Sequence, residues 1–211
     1  MKILIINLLL IFVYNFGQSQ TIDKLFIAMP NEQIVLLEEA WRKDIIDLYR
    51  SGKPATLENR LRGKSTLLKL NDNYLLLQLT ERSTLEMRLL PLINNTFIIC
   101  VITTVSAPVA DSNVKFYTTE WKEVKKDDLM KPVDVKRFLK DKNISTAAPE
   151  YVTLVAALDM HLLKYSLNED NNNITAEYMT LQYLDNETKR TILPLLKTEP
   201  TVLVWKSGHY E

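Results

Sequence analysis

"YLLLQLTERSTLEMRLLPL", residues 74–92, decides how this chain folds. Leu75, Leu77 and Leu79 alternate with Tyr74, Leu76 and Gln78; after "ERS", Leu85, Met87 and Leu89 alternate with Thr84, Glu86 and Arg88. Period two on both sides of a short polar break predicts consecutive strands joined by a turn. The stretch has an echo in "YMTLQYLDNETKRTILPLL", residues 178–196, with the same leading tyrosine, the same Leu-Gln at the fourth and fifth positions and the same Leu-Pro-Leu near the end. There, however, Asp185 precedes "NETKR", and Ile192, Leu195 and Leu196 follow at helical spacing. An aspartate N-cap, an acidic first turn and that spacing predict a helix over 186–193. The two copies are read as different structures with similar letters; the alternative is a tandem repeat of a helix-plus-meander module.

Working outward, residues 65–71, 74–80, 84–92, 96–105 and 114–121 are strand-like, separated by "ND", "ERS", "NN" and "SAPVADSN". Short turn-forming connections between consecutive strands imply an antiparallel meander. Before it, Ile34, Leu37, Trp41, Ile45 and Leu48 lie three or four residues apart, which predicts an amphipathic helix capped by Asn31 and stopped at Gly52, with a break near Ala40. After it, "DDLMKPVDVKRFLKD" reads as a short helix and "KNISTAAPE" as a linker. The run 151–167 is ambiguous at its start and is taken as strand by Met160; residues 173–184 read as another strand. The fold class is α+β: a twisted, mainly antiparallel sheet of about seven or eight strands, with an N-terminal helix and one or two further helices.

Residues 1–19 stand apart from this fold. Lys2 provides a minimal basic start, Ile3–Val13 an apolar run, and Gly17-Gln18-Ser19 small residues before a cut, the pattern of a secretory signal peptide. The run is shorter than the roughly 20 residues a membrane-spanning helix needs; an uncleaved anchor is the alternative. The expected mature chain, residues 20–211, is one α+β domain with no transmembrane anchor. Without Lys2 its charges are 25 basic to 26 acidic, a balance with no nucleic-acid footprint. Cys100 is the only cysteine, so no intrachain disulfide forms.

Familiar chemistries are largely missing. Gly63-Lys64-Ser65 matches the tail of a phosphate-binding loop, but Glu58 stands where the leading glycine belongs and a strand follows where a helix is required. His161 and His209 have no partner at metal-ligand spacing, so neither metal nor cofactor is implied. Cys100 in "FIICVITTV" is read as a small buried hydrophobe. Glu86 and Arg88 share one strand face and are read as a solvated or cross-strand pair. Tyr117, Trp121, Tyr178, Tyr183 and Trp205 are taken as packing aromatics.

A sheet wet on one face should alternate cleanly, and the central strands do not. Phe97, Ile99 and Val101 point one way, with Leu75, Leu77 and Leu79; Ile98, Cys100 and Ile102 point the other, with Tyr74 and Leu76. "TVLVW" at 201–205 is also apolar on both sides, with Leu203 and Trp205 opposite Val202 and Val204. Either the chain covers its own second face, or Tyr74, Leu76, Ile98, Ile102, Leu203 and Trp205 form a binding groove for a protein partner or an apolar ligand.

"MP" at 29–30, "SG" at 51–52, "GKS" at 63–65, "NYLLLQLTERSTLEMRLLPL" at 73–92 and "FYTTEW" at 116–121 together resemble the exported Bacteroidales family catalogued as domain of unknown function 3256. The resemblance covers nearly all of the mature chain. It implies a periplasmic or surface location and transfers no activity, cofactor or catalytic residue. The functional expectation is an exported, noncatalytic binding protein of the cell envelope. Its alternatives are a carrier of an apolar, lipid-like ligand and an enzyme using dispersed residues such as Glu86, Arg88, His161 and Glu177.

Overall fold

The computed structural model describes residues 20–141, 145, 147–158 and 160–211. The segment expected to be a signal peptide and part of the expected linker, 142–144 and 146, lie outside the described residues. Seven strands form the main sheet: β1 (Thr56–Glu58), β2 (Lys64–Leu70), β3 (Tyr74–Thr80), β4 (Ser83–Pro91), β5 (Phe97–Ser106), β6 (Ala110–Thr118) and β7 (Glu123–Val124). They lie side by side in chain order and every pair is antiparallel. The meander follows from the turns, since connections this short return each strand beside its predecessor. At both edges the strand is short, leaving little unpaired backbone as a template for another chain.

Each face of this sheet has its own core. On one face, helices α1 (Ile22–Ile27) and α2 (Glu39–Arg50) and the turns between them bury Leu75, Leu77, Leu85, Met87, Leu89, Ile99 and Val101. On the other, the C-terminal third covers Tyr74, Leu90, Ile98, Cys100, Ile102, Val114 and Phe116. That layer contains α3 (Lys126–Leu129), a 3-10 turn (Val135–Phe138), α4 (Pro149–Ala157), β8 (Leu163–Leu167), β9 (Ile174–Tyr178), α5 (Thr180–Tyr183), α6 (Asn186–Ile192) and β10 (Thr201–Leu203). Strands β8, β9 and β10 make a second antiparallel sheet, and β11 (Trp205–Lys206) pairs with β12 (His209–Tyr210) in a terminal hairpin. The lack of alternation in β3 and β5 is explained: both faces are interior.

Several local expectations need correcting. The helical spacing from Ile34 to Leu48 is helix only from Glu39. Residues 31–38 are successive turns, with Gln33 N donating to Pro30 O, Ile34 N to Asn31 O and Leu37 N to Ile34 O. Turns closed over three residues repeat apolar positions at nearly the helical interval, so spacing alone cannot separate them. Asn31 caps no helix; its Oδ1 accepts from Arg42 instead. Gly52 does end α2, at φ 69°, a left-handed geometry suited to glycine. Residues 149–157 are helical, with Pro149 in the first turn, and the strand begins only at Leu163. The strand expected over 173–184 ends at Tyr178 and is followed by α5.

The echo resolves as two structures. Residues 74–92 are strands β3 and β4, whereas 178–196 hold the last residue of β9, then α5, α6 and a 3-10 turn. Asp185 caps α6, its carboxylate accepting from Glu187 N and Thr188 N at 2.9 Å each. Among the described residues the two segments share no common structure, and the tandem-repeat alternative falls.

Candidate functional site

The six residues expected to line a groove are brought together by the fold, but Tyr74, Leu76, Ile98 and Ile102 lie beneath the chain's own C-terminal layer, to which Leu203 and Trp205 belong. Tyr74, Ile98, Ile102 and Leu203 are buried members of one core cluster, and Leu76 and Trp205 pack against it half-buried. Trp205 Nε1 donates to Pro91 O at 2.9 Å, and its ring meets Tyr210 edge-on at 4.8 Å. Val202 and Val204, on the opposite side of "TVLVW", are exposed. Among the described residues no open groove runs along this face; β8 lies across β4, β5 and β6 there.

Glu86 and Arg88 are what dock those strands, and neither is a solvated surface charge. Both belong to β4, face the C-terminal layer and are less than a tenth exposed. Glu86 Oε2 accepts from Leu167 N at 2.9 Å and from the Tyr74 hydroxyl at 3.1 Å. Arg88 spans the turn between β8 and β9: Nη1 donates to Asn168 O at 2.8 Å and Glu169 O at 3.1 Å, and Nε to Asn172 Oδ1 at 2.8 Å. The outward edge of β8 is satisfied the same way, by side chains of the main sheet. Leu163 N donates to Asp111 Oδ1 at 3.1 Å and Tyr165 N to Ser112 Oγ at 3.0 Å. Three alternate N–H groups of β8 thus find side-chain acceptors, and the edge is closed to further strand pairing.

Burial raises the pKa of Glu86, against the opposing hydrogen bonds from Leu167 and Tyr74. A carboxyl whose folded pKa lies above its unfolded value favours folding while protonated. That contribution shrinks as pH rises from the ordinary glutamate range through the raised value. Glu86→Gln keeps an oxygen for Leu167 N and removes the buried charge. Melts at about pH 5 and about pH 8 should show the wild type losing stability with rising pH more steeply than the variant. Parallel pH profiles would show that Glu86 titrates as a solvated carboxylate does.

The dispersed catalytic set does not converge. Glu86 and Arg88 are occupied by the β8–β9 hairpin, Glu177 pairs with Lys164 at 2.9 Å, and His161 lines a separate cleft. Burial pushes the Cys100 thiol upward, the reverse of what a nucleophile needs. Gly63-Lys64-Ser65 is structural: the buried Ser65 hydroxyl donates to Leu79 O at 2.7 Å, and Asn59 Oδ1 accepts from Leu61 N and Gly63 N at 3.1 Å each. Among the described residues no group of three His, Cys, Asp or Glu could hold a metal ion.

Two clefts deserve comparison. One, of about 400 Å³, lies over β5 and β6 beside Gln33, Tyr117 and Trp121. Its polar groups are mostly engaged: Tyr117 O–H with Gln33 Oε1 at 2.7 Å, Trp121 Nε1 with Leu25 O at 3.2 Å, Lys115 with Glu123 at 3.3 Å, and Asp111 with Leu163 N. The other, of about 720 Å³, opens in the C-terminal layer between residues 126–136, α4 and the start of β8. Its walls are Val133, Val135, Tyr151, Val155, Leu158, Leu163 and Tyr165, with Lys126, Asp134, Lys136 and His161 among them. Here polar groups are free: among the described residues the side chains of Lys126, His161 and Tyr165 form no hydrogen bond or ion pair. His161 meets only the edge of Tyr178, at 6.5 Å, and Lys126 Nζ stands 5.7 Å from the centre of the Tyr165 ring. An apolar concavity with a few unspent polar groups is the ordinary form of a small-molecule site. No periodicity pointed to it, because its walls come from four separated segments.

The comparisons with known proteins agree with the fold and assign no chemistry. A solved structure described as a domain of an uncharacterized protein from Porphyromonas gingivalis W83 superposes with a TM-score of 0.80 at 30% sequence identity, over 90% of this chain and 96% of that one. No curated protein matches. The family profile described as "Protein of unknown function (DUF3256)" matches residues 16–210, so the chain belongs to that family.

Proposed function

We propose that this is an exported, noncatalytic binding protein of the cell envelope, and that it holds an apolar small molecule in the larger C-terminal cleft. The observation that carries the binding reading is the cleft itself: about 720 Å³, walled mainly by apolar side chains, with free polar groups at few points. Export is supported by the signal-peptide pattern of residues 1–19, and no helix among the described residues is long and apolar enough to cross a membrane. The neutral probe N-phenylnaphthylamine, which fluoresces in apolar surroundings, tests the site. Wild-type protein should give a saturable rise in fluorescence, and Val155→Trp should remove it by filling the cleft from a half-exposed position that tolerates a larger side chain. An unchanged titration in the variant would place the probe elsewhere and sink the assignment. For export, protein recovered from a Gram-negative host should begin near Gln20 or Thr21; a recovered chain still carrying Met1 would count against it.

A further inference from the structure

The cleft's electrostatics narrow the ligand. Resting on the binding reading above, we infer that the ligand is an amphipathic carboxylate, its acyl tail along the apolar walls and its head on Lys126. Lys126 is the first residue of α3, half-buried, and no carboxylate stands within ion-pair distance of its ammonium among the described residues. Asp134, the one carboxylate lining the cleft, has its Oδ1 taken by Lys136 N at 3.0 Å. Burial lowers the pKa of Lys126, opposed by the neighbouring Asp127 and by Cys100. An ammonium withdrawn from water without a counter-ion costs free energy, and a ligand anion placed against it recovers part of that cost. The Tyr165 ring beneath the ammonium offers a π-face but no charge, since burial pushes its phenol up to about 12 and keeps it un-ionised.

Lys126 is the half-buried cation of the cleft, Lys136 being exposed, and it suits a single negative charge. Val133 and Leu163 line the same cleft as Lys126, so a head on the ammonium leaves apolar wall for the tail. A fatty-acid-like molecule satisfies both demands; a neutral lipid satisfies only the second, and a small inorganic anion only the first.

Dodecanoate and dodecanol share a tail and differ in head charge, so calorimetric titration with each, below the concentrations at which they aggregate, separates the two claims. Wild-type protein should bind dodecanoate about tenfold or more tightly than dodecanol, the scale of one charge-assisted contact. Lys126→Met should erase that preference, and Lys126→Arg should restore it. Equal affinities in the wild type, or a preference that survives Lys126→Met, would overturn the headgroup assignment and leave the cleft reading standing. Binding of neither ligand would overturn the cleft reading, and the headgroup assignment with it.

Discussion

Ile98→Asp and Ile99→Asp should both abolish the folded state. The two residues are adjacent on β5 and point to opposite faces of the main sheet, Ile98 into the C-terminal core at 5% exposure and Ile99 into the N-terminal core at 0%. In a sheet with one wet face, one of the two substitutions would be harmless. Here each places a carboxylate in an apolar interior with no partner, at a cost of several kcal/mol, against a total stability of roughly 5–15 kcal/mol. The lost packing of each isoleucine adds to that. Circular dichroism melts of the two variants beside wild type read the outcome. A folded Ile98→Asp beside an unfolded Ile99→Asp would mean that the C-terminal layer lifts away from the sheet and that Tyr74, Leu76, Ile102 and Leu203 become accessible to a partner. Collapse of both confirms that the layer is part of one cooperative unit.

Arg42→Met should be the costliest single change outside the apolar core. Arg42 lies on α2 at 1% exposure, among the largest buried side chains of the protein. Its guanidinium holds together the end of α1 and the turns that follow: Nη2 donates to Ile27 O at 2.9 Å and to Met29 O, and Nη1 to Leu37 O at 2.6 Å and Asn31 Oδ1 at 2.9 Å. Burial lowers its pKa, which reflects the desolvation that those acceptors offset. Methionine fills similar space without a donor, so several buried carbonyls lose their partners at once. The expected loss is about 3–5 kcal/mol, read as a lower urea midpoint with faster proteolysis of residues 28–38. Arg42→Lys should recover little, because a single ammonium cannot reach both sides of the planar fork. A loss below about 1 kcal/mol would mean that water replaces the guanidinium without penalty.

The contrast between these two sites shows where sequence reading succeeds. The opposite orientations of Ile98 and Ile99, and the grouping of Leu75, Leu77 and Leu79 against Tyr74 and Leu76, were legible because strand side chains alternate strictly and short turns pin the register. The Asp185 cap was legible because the capping geometry is complete within three residues. Arg42 was not. Its partners lie between 5 and 15 residues away in a segment of irregular turns, and nothing in the spacing distinguishes it from a solvated helix residue. Glu86 and Arg88 were seen on one face but read as a solvated or cross-strand pair, because their main partners, Leu167 N, Asn168 O, Glu169 O and Asn172 Oδ1, lie in a hairpin some 80 residues later. The cleft around Lys126 was invisible for the same reason.

By itself, the sequence determined the α+β class, the five consecutive antiparallel strands between residues 65 and 121 (but not the short edge strands β1 and β7), the sidedness of the central strands and the helix that breaks the echo. All of these depend on contacts among residues close in the chain, where periodicity, turn chemistry and capping act directly. Only the tertiary structure decided what covers the second face of the sheet, which charges are buried as clamps and that a half-buried lysine lines a cleft without a counter-ion. Those properties belong to surfaces brought together by folding. An apolar side chain signals that it will be buried and carries no record of its partner, and a charged one is placed inside or outside by acceptors that arrive from distant segments.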